Sequence, residues 1–268
     1  RGLTGLTYLR LRYLKCDLYL PESGSLLVLI MLDLELSRSC CDEFANILTG
    51  YSKLKRLVIC DTDLNNCVLN LSNMTELTVL YMSWLTLSSF CCAIFARTLT
   101  YCTKLKRLYL DYVDFHNCLL DFSNMTELTA LDMWDVTLSS SCWDVFGRTM
   151  THCTKLETLV LRDTNLHNCL LDLTNMAVLS ELSLSRVTLS SSCCSVLRAS
   201  LTNCLKLEAL NLVEIKLHSS QLNLSKLEEL PTQQLSSCYC DVLGWSLRHC
   251  IQLKTLLMHH ISLSVGFI

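Results

Sequence analysis

Residues 102–131 read CTKLKRLYLDYVDFHNCLLDFSNMTELTAL, and two apolar triplets of the form LxxLxL begin in them, Leu105-Leu108-Leu110 and Leu128-Leu131-Met133. The stretch has copies elsewhere. Its KLKRL start at Lys104 also stands at Lys53, and returns as KLETL at Lys155 and KLEAL at Lys206. Its NMTELTAL end at Asn124 stands as NMTELTVL at Asn73 and as NMAVLSEL at Asn175. Each step is 51 residues, and each divides: Leu54 to Leu77 is 23 residues and Leu77 to Leu105 is 28. Self-similarity at a fixed spacing marks stacked units, none of which can bury its apolar side alone.

The last two apolar residues of each triplet are two apart, so they share one face of a strand. One strand per unit, repeated along the chain, predicts a parallel sheet. The two unit lengths differ in the return that leads from one strand to the next. In the longer unit Cys91, Phe95, Leu99 and Cys102 recur as Cys142, Phe146, Met150 and Cys153, then as Cys193, Leu197, Leu201 and Cys204. Spacings of 4, 4 and 3 lie on one helical face. Serines precede each run (Ser88-Ser89, Ser139 to Ser141, Ser190 to Ser192), as expected of helix N-caps. The shorter unit has no room for a helix, and its return, such as 67–77, alternates Leu69 and Leu71 and reads as extended. Near the carboxyl end the period slips. Leu207 to Leu253 is 46 residues, and PTQQ stands after Leu230 where a strand is due, so Pro231 is expected to mark a weak point or bulge.

These features together resemble leucine-rich repeats of the ribonuclease-inhibitor type, whose units run to roughly 20–29 residues. Cys102-Thr103-Lys104-Leu105, with Cys three residues before the triplet, is similar to the repeats in the sensor region of NOD-like receptors. The resemblance implies an α/β leucine-rich repeat solenoid over residues 1–268. It would hold about eleven units in a 23/28-residue alternation, with an irregular unit near 230–235. A curved parallel sheet would form the concave face, with alternating helical and extended returns on the convex face. Such repeats carry Asn or Cys three residues after LxL. Here that column reads Thr62, Leu85, Val113, Val136, Thr164, Val187 and Ile215. Either the turn closes by apolar packing, or its backbone groups find water.

Composition agrees with a stack that buries two sides of each unit: 51% of the residues are hydrophobic and 18% charged. A net charge of -3 argues against nucleic acid as the main partner, which requires a basic surface. The apolar run Leu26 to Leu32 is far short of a membrane span, so no membrane insertion is expected. No secretory signal is visible at the amino end, and Arg at position 1 suggests a piece of something longer.

Eighteen cysteines invite a disulfide framework. Sixteen of them fall in four columns, however: 16, 67, 118, 169; 40, 91, 142, 193; 41, 92, 194, 240; and 102, 153, 204, 250. A column of small apolar side chains on successive turns predicts buried thiols, and with them a reducing, cytoplasmic setting. His116-Asn117-Cys118 and His167-Asn168-Cys169 lack the paired short spacing of a zinc site, and the lone CxC at Cys238 and Cys240 is isolated. Neither metal nor cofactor is expected. The serine runs lack a nucleophile elbow or a base at fixed spacing, so no catalytic residues are expected. Asn-x-Ser/Thr acceptors at Asn70, Asn73, Asn124 and Asn223 would suit a secreted chain, but duplication alone would copy them.

The resemblance places the residues between the strand leucines on the outward concave face. That set includes Tyr81, Ser83, Trp84, Tyr109, Asp111, Tyr112, Asp132, Trp134, Asp135, Arg162 and Arg186. Trp, Tyr and Arg dominate binding hot spots, so the set is expected to hold a protein partner. Asp61, Asp111, Asp132 and Asp135 give it an acidic tint suited to a basic partner patch. Phe90 and Trp143, near helix starts, are expected to pack between turns. The favoured role is the sensor or scaffold part of an intracellular receptor. Three alternatives stand beside it: an extracellular repeat receptor, the substrate adaptor of a ubiquitin ligase and an enzyme. The repeat columns offer no acid–base pair for the last.

Overall fold

A computed structural model describes residues 5–16, 24–36, 38–65, 67–115, 118–218, 250–258 and 262–264. In chain order the elements are β1 (Tyr8–Arg12), β2 (Lys15–Cys16), β3 (Val28–Leu32), β4 (Glu35–Leu36), α1 (Arg38–Leu48), β5 (Arg56–Asp63), β6 (Val79–Thr86) and α2 (Ser89–Leu99). Next come β7 (Arg107–Val113), β8 (Ala130–Trp134), α3 (Ser140–Met150), β9 (Thr158–Arg162), β10 (Glu181–Ser185), β11 (Thr188–Ser190) and α4 (Ser191–Leu201). The last are β12 (Ala209–Asn211), β13 (Lys216–His218), β14 (Thr255–Leu257) and β15 (Ser262–Ser264).

Ten of the strands form one open parallel sheet in the order β1-β3-β5-β6-β7-β8-β9-β10-β12-β14. The register is set by the middle leucine of each triplet: Leu57, Leu80, Leu108, Leu131, Leu159, Leu182 and Leu210 lie side by side across the sheet. All seven are fully buried. A one-residue slip would turn every leucine of a strand to the opposite face, so burial fixes this pairing. Just before each strand, one amide feeds the preceding unit: Thr78 N–H donates to the Lys55 carbonyl, Lys106 to Thr78, Thr129 to Lys106 and Glu157 to Thr129. The chain is therefore an α/β leucine-rich repeat solenoid.

The returns alternate as the spacing predicts. The four helices among the described residues are each 11 residues long. Ser88 and Ser190 accept the amides of Cys91 and Cys193, closing one free donor at each helix start. Ser139 stands at the same place but makes no such bond; its hydroxyl donates to the Cys142 sulfur instead. Between the helices the extended returns bury Leu69, Leu71 and Met74, then Leu120, Phe122 and Met125. Their backbone is held by the neighbouring helices: Thr98 and Thr149 accept the amides of Leu71 and Phe122 at 3.1 Å each.

The column that lacks Asn is closed by packing. Thr62, Leu85, Val113, Val136, Thr164, Val187 and Ile215 are all buried. Thr62 spends its hydroxyl on the Cys60 carbonyl, whereas the Thr164 hydroxyl is buried with no partner. The recurrent Asn73, Asn124 and Asn175 have a structural reason to recur: each side-chain amide donates to a carbonyl just past the preceding helix, at Thr49, Thr100 and Thr151. Asn70 folds an Asx turn onto Ser72, as Asp121 and Asp172 do in the later copies.

Three expectations are corrected. Cys41 and Cys67 are joined by a disulfide, so the cysteine columns are not wholly free thiols; twelve other described cysteines are free, all of them buried or half-buried. Phe90 is 68% exposed and does not pack between turns, whereas Trp143 is buried. Ser83 is buried rather than open to solvent. The expected irregular unit near 230–235 with Pro231, and Cys238 and Cys240, lie outside the described residues. In the sheet itself β12 pairs directly with β14, Leu210 beside Leu256, so no strand stands between them.

Candidate interaction surface

Two residues past each LxL, the chain must leave the sheet and enter its return. It does so by one residue of left-handed backbone, and none of the nine is glycine: Tyr13, Asp33, Asp61, Trp84, Tyr112, Asp135, Asp163, Arg186 and Glu214 have φ between 49° and 57°. Aspartate accepts this region more readily than most residues. Trp and Tyr do not, and each such residue costs roughly 1 kcal/mol or more. Because all nine described turns share it, the strain belongs to the fold. The choice of large aromatic side chains at two neighbouring turns does not follow from the fold.

Those two stack. The Trp84 and Tyr112 rings lie 3.8 Å apart at 12°. Tyr112 meets Trp134 at 4.9 Å and 49°. Trp134 donates its indole N–H to Asp163 Oδ2 at 2.7 Å, and Arg186 closes on the same carboxylate with bonds of 2.5 and 2.6 Å. The result is one continuous rim across β6, β7, β8 and the turns after β9 and β10. The hydrogen bonds from Arg186 hold the Asp163 carboxyl below its ordinary range, so it stays ionised. Trp84, at the open end, is 56% exposed.

Beside the rim lies the floor of the sheet face. Tyr81 donates to Asp111 Oδ2 at 2.9 Å and leans on Tyr109 with ring centres 5.7 Å apart. Burial raises the Asp111 carboxyl, and it raises Asp132 to about 6, with the Arg162 guanidinium opposing both shifts. Burial likewise pushes the Tyr81 hydroxyl up to about 12. Between Tyr112 and Lys216 the face deepens into a cleft of about 620 Å³ lined by Trp134, Asp135, Asp163, Arg186 and Glu214 among others. Among the described residues no three metal-ligating side chains gather.

The structure thus sorts the expected residues into two groups. Trp84, Tyr112, Trp134 and Arg186 form the rim, with Asp135 exposed at its turn; Tyr81, Tyr109, Asp111, Asp132 and Arg162 form the floor. Asp163, which joins Trp134 to Arg186, was missed although Trp84, Tyr112, Asp135 and Arg186 were taken from the same column two residues past LxL. Its column, shared with Asp61 and Asp135, was the available signal.

No family model matches the chain, and no curated protein matches it. Among solved structures, an internalin from Listeria monocytogenes is similar at 15% identity over 97% of this chain and 82% of that one, with a TM-score of 0.38. A leucine-rich repeat protein of Leptospira interrogans is similar at 13% identity over 92% and 71%, with a TM-score of 0.40. The repeat assignment therefore stands on this chain's own period, sheet order and buried leucines, which make it a leucine-rich repeat solenoid.

Proposed function

We propose that the chain is a protein-interaction module and that its partner docks on the aromatic rim. The observation that carries this is the Trp84–Tyr112 stack, held at two strained turns with Trp84 open to solvent. A pre-stacked pair loses little side-chain freedom on binding, so its apolar area converts efficiently into affinity. The carboxylates of Asp61, Asp111 and Asp135 border it, which favours a partner presenting Lys or Arg. The role is recognition rather than catalysis, with no cofactor. The finer reading is the sensor or scaffold part of a cytoplasmic receptor of the NOD-like kind, supported by the Cys102-type spacing in the helical units.

The test compares wild type with Trp84→Ala and Tyr112→Ala as bait. Proteins retained by the wild type at low salt should fall roughly tenfold or more with either variant, as for a central hot spot. Thermal unfolding should be nearly unchanged, since neither ring fills the core. Full retention by both variants would remove the rim from the binding surface.

A second reading, the ectodomain of an extracellular receptor, is favoured by the Cys41–Cys67 disulfide, because such bonds persist in oxidising compartments. Alkylating the protein inside its own cells before lysis separates the two: modification of Cys41 and Cys67 there would eliminate the extracellular reading.

A further inference from the structure

Cys41 is the fourth residue of α1 and Cys67 lies 26 residues on, with Cα atoms 4.4 Å apart. One 51-residue period later the same two places hold Cys92, the fourth residue of α2, and Cys118. The local backbone repeats as well: the Cys67 amide donates to the Leu64 carbonyl at 3.0 Å, and the Cys118 amide to Phe115 at 2.9 Å. Cys92 and Cys118 are both buried and free, and each thiol reaches the backbone beside the other: Cys92 donates to the Phe115 carbonyl at 3.4 Å, and Cys118 to the Ser89 carbonyl at 3.9 Å. Cys91, next door, points the other way, its thiol donating to the Asn65 carbonyl of the preceding unit at 3.5 Å.

The pairing is confined to these copies among the described residues. In the next copy Trp143 stands where the helical cysteine would be, packed edge-on to Phe146 at 5.2 Å. Its former partner Cys169 lies over Gly147 instead, 3.2 Å from where a Cβ there would sit.

We infer that Cys92 and Cys118 are the site of a second disulfide, in register with Cys41–Cys67 and one period along the stack. With a low-molecular-weight disulfide such as oxidised glutathione as the oxidant, one thiolate attacks it and forms a mixed disulfide, releasing one reduced glutathione. The second thiolate then displaces the second glutathione. Two S–H bonds are lost, one S–S bond forms, and the two electrons and two protons end on two glutathione thiols. Burial pushes both thiols above their ordinary range, so little thiolate exists in the folded protein at neutral pH. The bond should form slowly in the folded protein and readily during refolding at about pH 8.5, where free thiols ionise. It would tie the unit bearing Trp84 to the unit bearing Tyr112, independently of any partner.

The experiment refolds the full chain in oxidised and reduced glutathione at that pH, blocks remaining thiols in denaturant and maps tryptic peptides by mass spectrometry. Peptide 57–97, already joined through Cys67 to peptide 39–53, should appear joined as well to peptide 108–148, and fragmentation should place that second link at Cys92. Cys91→Ser should keep the link, while Cys92→Ser and Cys118→Ser should each abolish it. The thermal midpoint of the oxidised wild type should exceed that of Cys92→Ser by about 5 °C. Should a variant fail to fold, the wild-type map alone decides. A map in which Cys41–Cys67 forms while peptides 57–97 and 108–148 stay separate overturns the inference. So does a link inside peptide 108–148 between Cys118 and Cys142, or one that survives Cys92→Ser.

Discussion

Gly147 sits inside α3, where alanine would ordinarily strengthen a helix by up to about 1 kcal/mol. Here the sign reverses. A Cβ would come within 2.9 Å of the Leu170 carbonyl oxygen, which belongs to backbone and cannot swing aside. Gly147→Ala should destabilise the chain by about 1–3 kcal/mol, read from denaturant unfolding. The equivalent residue in α2, Ala96, shows that the helix itself tolerates the methyl. Asp132 gives a second test at this scale. Its carboxyl is raised from 3.8 to about 6, chiefly by burial, so the folded protein holds that proton more tightly than the unfolded chain. Stability from this group therefore rises as pH falls through about 6 and levels off below about 4. Asp132→Asn should stabilise at pH 8 by about 1 kcal/mol and flatten the pH dependence between about 4 and 6. A variant that tracks the wild type across that range would show the carboxylate to be well hydrated. Neither feature was legible in the sequence: a glycine's neighbours and a carboxyl's hydration depend on contacts made across units.

Strands, helices and extended returns were legible, because each repeats its apolar period at fixed columns. What the columns conceal is bonding between columns. Cys41 and Cys67 belong to different cysteine columns, and only the fold shows that these two columns face each other. Equivalent serines likewise read alike but act differently. Ser88 accepts the Cys91 amide, whereas Ser139 turns to the Cys142 sulfur. Ser88→Ala should thus cost about 1 kcal/mol, and Ser139→Ala distinctly less. Equal losses in thermal unfolding would show that the cap forms at both sites. The left-handed turns were illegible for a similar reason. Glycine is the usual marker of that backbone, and here the nine positions carry Asp, Tyr, Trp, Arg and Glu.

Among the described residues a ten-stranded sheet is backed, from β3 to β12, by helical and extended returns in alternation. Neighbouring parallel strands stand roughly 4.8 Å apart, while packed helices need about 8–10 Å between axes. A helix on every strand would be crowded, or would force the sheet to bend sharply. A helix on every second strand has about 9.6 Å of sheet beneath it, which matches its own width. The extended return is thus a spacer. Removing residues 105–155, one full period of 51, should leave a cooperatively unfolding protein. Removing only 105–127, the 23-residue unit, sets α2 and α3 on adjacent strands, and should lower the thermal midpoint far more despite deleting less. The alternation has an evolutionary corollary. If growth by single units is sterically penalised, lineages of this chain should lengthen or shorten in pairs, and their lengths should differ by whole multiples of one quantum, much as a brick wall grows by courses.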